Sequence, residues 1–206
     1  MRWLIACVFL AAAGGGALLY WTISARYEQQ RYDPIIRAVV KDYPVDPLLI
    51  RAVIWRESRF DPKVFGLAQE RGLMQVTPVA AREWAASANI ANFREDSLYD
   101  PATNIQAGTW YLSRALKRWA HTSNPVPFAL AEYNAGRSNA LRWVDPENKT
   151  SPARFLERID YPTTKTYITA IEQKYYEYKA EYYRPPWMGW WEKIASRIRS
   201  GSKSDG

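Results

Sequence analysis

Cysteine and histidine are nearly missing from this chain. Its 206 residues hold one of each, Cys7 and His121. A single cysteine excludes an intrachain disulfide. One histidine and one distant cysteine cannot build a zinc site, a serine–histidine–aspartate triad or a cysteine–histidine pair. No metal and no cofactor is therefore expected, and His121 reads as an ordinary helix-end residue. Strand signals are missing too, since no stretch sustains apolar–polar alternation between hairpin turns. No run of basic residues interleaved with aromatics covers the central region, which argues against nucleic acid as a partner. What remains for chemistry is carboxylates, hydroxyls, amides and tyrosines.

Lysine and arginine total 28 against 21 acidic residues, a formal charge of +7. That balance suits a membrane leaflet or an acidic cell-wall polymer, or a solvated surface with a modest bias. The chain also holds 10 tryptophans and 14 tyrosines, residues that fill cores and equally stack on sugar rings.

The N-terminus carries a long apolar run. Residues 3–23 are apolar apart from Thr22 and follow Arg2. A bilayer-crossing helix needs ~20 such residues, whereas a secretory signal has a shorter core and a small-x-small cleavage site. Ala11, Ala13 and Ala17 come too early to supply that site, and Ile23-Ser24-Ala25 fits it poorly. Leu4-Ile5-Ala6-Cys7 lies too near the start to be a lipoprotein box. The expectation is a retained signal-anchor over residues 1–24, with a cleaved secreted form as the alternative. Charge conflicts with export: Arg2 precedes the span, while Arg26, Arg31 and Arg37 follow it.

Beyond the anchor the pattern is helical. Asp33-Pro34, Asp46-Pro47, Thr77-Pro78, Asp100-Pro101 and Ser151-Pro152 each put a capping side chain directly before proline, a helix-start signature. Leu48, Leu49, Ala52 and Val53 form one apolar stripe; Ile105, Gly108, Thr109 and Leu112 form another, continuing to Ala115 and Leu116. A mainly helical domain is expected over residues 28–183. Arg184-Pro185-Pro186 ends it. In the 184–206 tail, Trp187, Trp190, Trp191, Ile194 and Ile198 share a face near Lys193, Arg197 and Arg199. Residues 187–199 suit either a membrane interface or a helix packed back on the domain.

Glu57 stands out because it lies four residues after Val53 and eight after Leu49, on the apolar stripe at a helix end. An apolar setting disfavours the charged carboxylate and raises its pKa, as a general acid requires. The alternative is an exposed helix-end residue paired with Arg56 or Arg59.

Three motifs recur in order. Glu57-Ser58-Arg59-Phe60-Asp61-Pro62 precedes Gly72-Leu73-Met74-Gln75-Val76-Thr77-Pro78, and Ala131-Glu132-Tyr133-Asn134-Ala135-Gly136 follows. Asp100 to Gly108 and the late segment Tyr161 to Tyr167 complete the set. Over residues 32–175 the chain resembles the soluble-type (SLT-domain) lytic transglycosylase family of the lysozyme-like, goose-type superfamily. The resemblance implies a helical lysozyme-like catalytic domain in which Glu57 is both acid and base. It also implies that Gln75, Tyr133, Asn134 and Tyr167 sit on the substrate side, with Ser58 and Met74 in the same set; Ser58 reads more as a helix-end support. Three positions depart from the family pattern. Gly66 stands where many relatives carry serine, Thr77 where many carry methionine, and Lys165 where arginine is common.

The activity so implied is cleavage of peptidoglycan strands between N-acetylmuramic acid and N-acetylglucosamine, closing a 1,6-anhydro ring. It would take place outside the bacterial inner membrane, in the periplasm, and the protein partners are unknown. An ordinary glycosidase uses two carboxyl groups; here only Glu57 has a motif role, with Asp61, Glu70 and Glu132 unassigned. The competing readings are a hydrolytic muramidase on the same fold, an inactive glycan-binding assembly module, and a membrane-remodelling or nucleic-acid-binding protein.

Overall fold

The computed structural model describes residues 27–183. The expected anchor over residues 1–24 and the tail over residues 184–206 lie outside the described residues. Among the described residues, no helix is long and apolar enough to cross a membrane.

Helices dominate, in the order α1 (Asp33–Val39), α2 (Pro47–Ser58), α3 (Pro78–Ser87), a short 3-10 helix (Glu95–Tyr99), α4 (Pro101–Arg118), α5 (Val126–Ala135), α6 (Arg137–Arg142), α7 (Pro152–Arg158) and α8 (Pro162–Tyr182). Four of the five expected cap–proline starts form. Asp46, Thr77, Asp100 and Ser151 accept the backbone N–H of Leu48, Ala80, Thr103 and Arg154 respectively. Asp33 differs: α1 begins at Asp33 itself, Tyr32 holds the cap position, and no side chain bonds there. The Asp33 carboxylate lies within the first turn, where the helix dipole favours it, and faces Arg51 at 3.7 Å.

The described residues contain no β-strand, only two isolated bridges, Phe65 with Arg71 and Arg71 with Val76. They pin the loop between α2 and α3 into a tight double turn.

α5 runs through the middle, against α4, α6, α7 and α8, while α2 packs along α8. Phe128, Ala129, Leu130 and Ala131 are fully buried, as a central helix requires. Phe128 stacks between Trp119 and Phe155, with ring centroids 5.2 and 4.1 Å away. Glu132 is buried on the far side of α5, where Arg118 pairs with it and Trp119 Nε1 donates to it at 2.8 Å. A buried charge held this way is structural and has no free oxygen to offer a substrate.

Candidate active site

The site grows from the last turn of α2. Leu49 and Val53 on that helix are buried, which puts Glu57 over the apolar core at the helix end. The chain then turns sharply through Arg59 and Phe60, both with positive φ, 54° and 69°. Two consecutive non-glycine residues in that region cost strain, and Phe60 offsets it by burying its ring. Arg59 swings back over the Trp55 ring at 3.9 Å, so it makes no pair with Glu57.

Tyr167, buried on α8, donates its hydroxyl to Glu57 Oε1 at 2.6 Å. Burial pushes the Glu57 carboxyl from 4.5 up to about 7; the Tyr167 bond and Arg56 pull it down, and the nearby charge of Glu70 pushes it up. A carboxyl poised there holds a proton near neutrality and can release it, which is what a general acid that later acts as base requires.

Beneath the carboxyl lies a braced floor. Asn104, fully buried on α4, accepts the Met74 N–H at 2.8 Å and donates through Nδ2 to the carbonyls of Arg71 at 2.7 Å and Leu98 at 2.8 Å. Tyr133 donates its hydroxyl to the Met74 carbonyl at 2.8 Å. Both backbone groups of Met74 are thus fixed. Gly72 has φ +76°, and a β-carbon there would lie 2.4 Å from the Leu98 carbonyl, so only glycine fits. Ser58 Oγ donates to the Leu73 carbonyl at 2.8 Å and so ties the end of α2 to the same turn.

The sequence-predicted residues therefore divide. Glu57 and Tyr167 meet directly. The Tyr133 hydroxyl goes to the Met74 carbonyl, not to Glu57. Ser58, named with the substrate set but read more as a helix-end support, is buried and bonds as such a support, while Met74, named in the same set, is fully buried. Gln75, Tyr133 and Asn134 line a groove cavity of about 250 Å³, together with Val76, Thr77, Ala80, Tyr111 and Gly136. Gln75 Nε2 donates to the carbonyls of Gly72 at 2.9 Å and Val64 at 3.1 Å. Asn134 Oδ1 accepts from Thr164 Oγ1 at 2.8 Å, joining α5 to the first turn of α8. A larger hollow of about 410 Å³, lined by Asp33, Arg37, Asp46, Arg51 and Tyr182 among others, includes none of the site residues.

Sequence reasoning left Tyr111 and Thr164 out and gave Asn104 no role. Tyr111 packs edge-on against Tyr133 at 5.6 Å and forms part of the groove wall. Asn104 sits at the fourth position of the helix opened by Asp100-Pro101. A polar side chain that early on an otherwise apolar stripe is the signal that marks it.

Among the described residues, no three histidine, cysteine or acidic side chains group to hold a metal. One protonatable carboxyl that accepts a hydrogen bond from a phenol in a helical bundle has the make-up of an acid–base site. The model of the transglycosylase SLT domain family matches residues 34–155, more than half of the chain, and the chain belongs to this family.

Membrane-bound lytic murein transglycosylase C of Haemophilus influenzae is 34% identical over 128 residues, covering 59% of this chain and 36% of that protein. The soluble lytic murein transglycosylase of Escherichia coli K12 is 26% identical over 151 residues, covering 71% of this chain and 23% of that protein. This chain thus matches only about a third or less of the length of these relatives. Among solved structures, an inactive mutant of the lytic transglycosylase Slt from Pseudomonas aeruginosa shares the fold with a TM-score of 0.68 at 22% identity, over 76% of this chain and 25% of that one. The complex of the 70 kDa soluble lytic transglycosylase with bulgecin A gives 0.64 at 26% identity, over 72% of this chain and 24% of that one.

Proposed function

We propose that this protein is a membrane-attached peptidoglycan lytic transglycosylase that cuts the bond between N-acetylmuramic acid and N-acetylglucosamine. The observation that carries the reading is the buried Glu57 carboxyl, which accepts the Tyr167 hydroxyl at 2.6 Å and is raised to about 7 by burial. The names of the relatives and the membership of the SLT family support the substrate class.

The reaction needs one carboxyl. Glu57 gives its proton to the glycosidic oxygen, and the C1–O bond breaks with its electron pair going to that oxygen. The acetamido oxygen of the muramic residue stabilises the positive charge at C1. Glu57, now a carboxylate, takes the proton of the same sugar's C6 hydroxyl as that oxygen bonds to C1. The anhydro ring closes, Glu57 recovers its proton, and no water is consumed. The Tyr167 hydroxyl supports the carboxylate between the two transfers, since a donated hydrogen bond favours the charged form.

Gln75, Tyr133 and Asn134 are assigned to the substrate side of the groove, and residues 28–183 to the catalytic unit. Attachment to the inner membrane is assigned to residues 1–24, on the strength of their apolar length and the "membrane-bound" relatives. The Trp-rich residues 187–199 are assigned a secondary interfacial role. The catalytic unit then works on the periplasmic side.

One observation favours a hydrolytic muramidase as the second reading: the charge of Glu70 is felt at Glu57, so a second carboxyl is near. Mass spectrometry of digested peptidoglycan separates the two. Anhydro-muramic products that disappear with Glu57→Gln support the transglycosylase; reducing-end products, one water heavier, overturn it.

A further inference from the structure

The hollow of about 410 Å³ lies away from the acid, between α1, the start of α2 and the end of α8. Ile36, Pro47 and Leu48 give it an apolar side, and Tyr182 and Tyr183 line it while staying largely exposed. Its charged groups are not equally free. Asp46 is used twice, by the Leu48 N–H at 2.8 Å and by the Tyr175 hydroxyl at 2.7 Å. Asp33 faces Arg51 at 3.7 Å, and the Arg51 guanidinium also lies over the Tyr178 ring at 4.6 Å. Arg37 is exposed and makes no ion pair among the described residues. The hollow thus offers a ligand an open cation beside an apolar wall, with two phenols next to it.

The path of the chain says what covers this face. Tyr178 donates its hydroxyl to Gln29 Oε1 at 3.0 Å, so the first described residues lie against α8, one turn before Tyr182. Tyr183, the last described residue, lines the hollow itself. The chain therefore enters and leaves the described domain side by side at this end. Residue 24, the end of the proposed anchor, is three residues from Tyr27. Whatever its course, a chain spans at most ~3.6 Å per residue, so this stretch reaches about 11 Å or less. In the membrane-attached reading, the headgroup layer begins within that reach of Tyr27. Tyr27, Tyr182 and Tyr183 are 70%, 71% and 68% exposed, and phenols in that position suit a membrane–water boundary.

We infer that this hollow is a docking site for a phospholipid headgroup of the bilayer that holds the anchor. Arg37 takes the phosphate, and Ile36, Pro47 and Leu48 cover the glycerol beside it. The inference rests on the membrane-attached reading above. A guanidinium suits a phosphate because its fixed N–H donors match two oxygens at once. A tether alone lets a domain swivel. A second contact at the same end fixes which face the domain turns toward the wall.

The test is photo-crosslinking of the full chain. It is reconstituted in vesicles of phosphatidylcholine and phosphatidylglycerol that carry a small fraction of phospholipid with a diazirine in the headgroup. Adducts are mapped by mass spectrometry of peptic peptides. The expected result is adducts on the peptides that hold Arg37, Leu48 and Tyr182, reduced at least about fivefold by Arg37→Gln relative to those on the peptide that holds Tyr27. Arg37 is exposed and unpaired, so glutamine there leaves the fold intact and removes only the charge.

Adducts that Arg37→Gln leaves unchanged would show mere nearness to the bilayer and overturn the inference. So would their absence from the hollow while the chain stays in the vesicles. Adducts that appear only after residues 184–206 are deleted would assign the hollow to the chain's own tail, and they too overturn it. Release of the unmodified chain from the vesicles by alkaline carbonate is a separate result: it defeats the membrane-attached reading, and the inference falls with it.

Discussion

Glu57→Gln should make the protein more stable, and only above a definite pH. The folded carboxyl titrates at about 7, while the unfolded chain titrates near 4.5. Between those values the native state binds more protons than the unfolded one, so raising the pH favours unfolding. The penalty is absent below about pH 4 and complete above about pH 8. A shift of this size corresponds to about 3 kcal/mol, with the part-exposed rim of the site reducing it to about 2–3 kcal/mol. Glutamine is neutral throughout, retains the shape, and still accepts the Tyr167 hydroxyl through its carbonyl oxygen. At about 2–4 °C per kcal/mol for a domain of this size, the variant should melt roughly 4–12 °C above the parent at pH 8 and level with it at pH 4. Circular-dichroism melts across that range make the measurement. A gap between the two proteins that does not change with pH would refute a carboxyl kept neutral by burial.

Other expectations follow from the same geometry. The alkaline limb of kcat/KM should fall near pH 7, and Tyr167→Phe, which removes a bond that lowers the Glu57 pKa, should move that limb upward while reducing kcat; a limb that stays put would separate the phenol from the acid. Burial sets that limb first, followed by Tyr167 on α8, Arg56 on α2 and Glu70 in the loop. Asn104→Ala leaves the Met74 N–H and the buried Leu98 carbonyl without partners, while the Arg71 carbonyl keeps the Val76 N–H, and should cost about 2 kcal/mol or more by urea denaturation. Gly72→Ala, at φ +76° with backbone oxygen in the way, should destabilise by at least about 2 kcal/mol and lower activity with it; an unchanged urea midpoint would show that the turn relaxes freely.

Much of this architecture could be read from the chain alone, because the informative features are local. A capping side chain next to proline acts within one turn, so the starts of α2, α3, α4 and α7 were legible. Asp33 was misread because the same dipeptide also suits the first turn of a helix, where a carboxylate needs no cap geometry. The candidate acid was legible as a carboxylate on an apolar stripe, and the ordered motifs picked out its neighbours. Contacts between distant segments were not. Nothing in the spacing says that the Tyr133 hydroxyl goes to Met74 and the Tyr167 hydroxyl to Glu57. Asn104 bonds to residues six to 33 positions away in sequence, and no periodicity encodes such a hub. In the sequence Gly66 was only a departure from the serine of many relatives. Its meaning emerges only when the Glu70 carboxylate is found in the space that a side chain would fill.

The partnership of Glu57 with Tyr167 joins residues 110 positions apart, on α2 and α8. A growing chain has no such pair until α8 has been made and has packed along α2. Before that moment the carboxyl stands in water, titrates like any other, and lacks the proton that cutting requires. In the proposed reading, the docking of α8 on α2 is therefore the step that arms the acid.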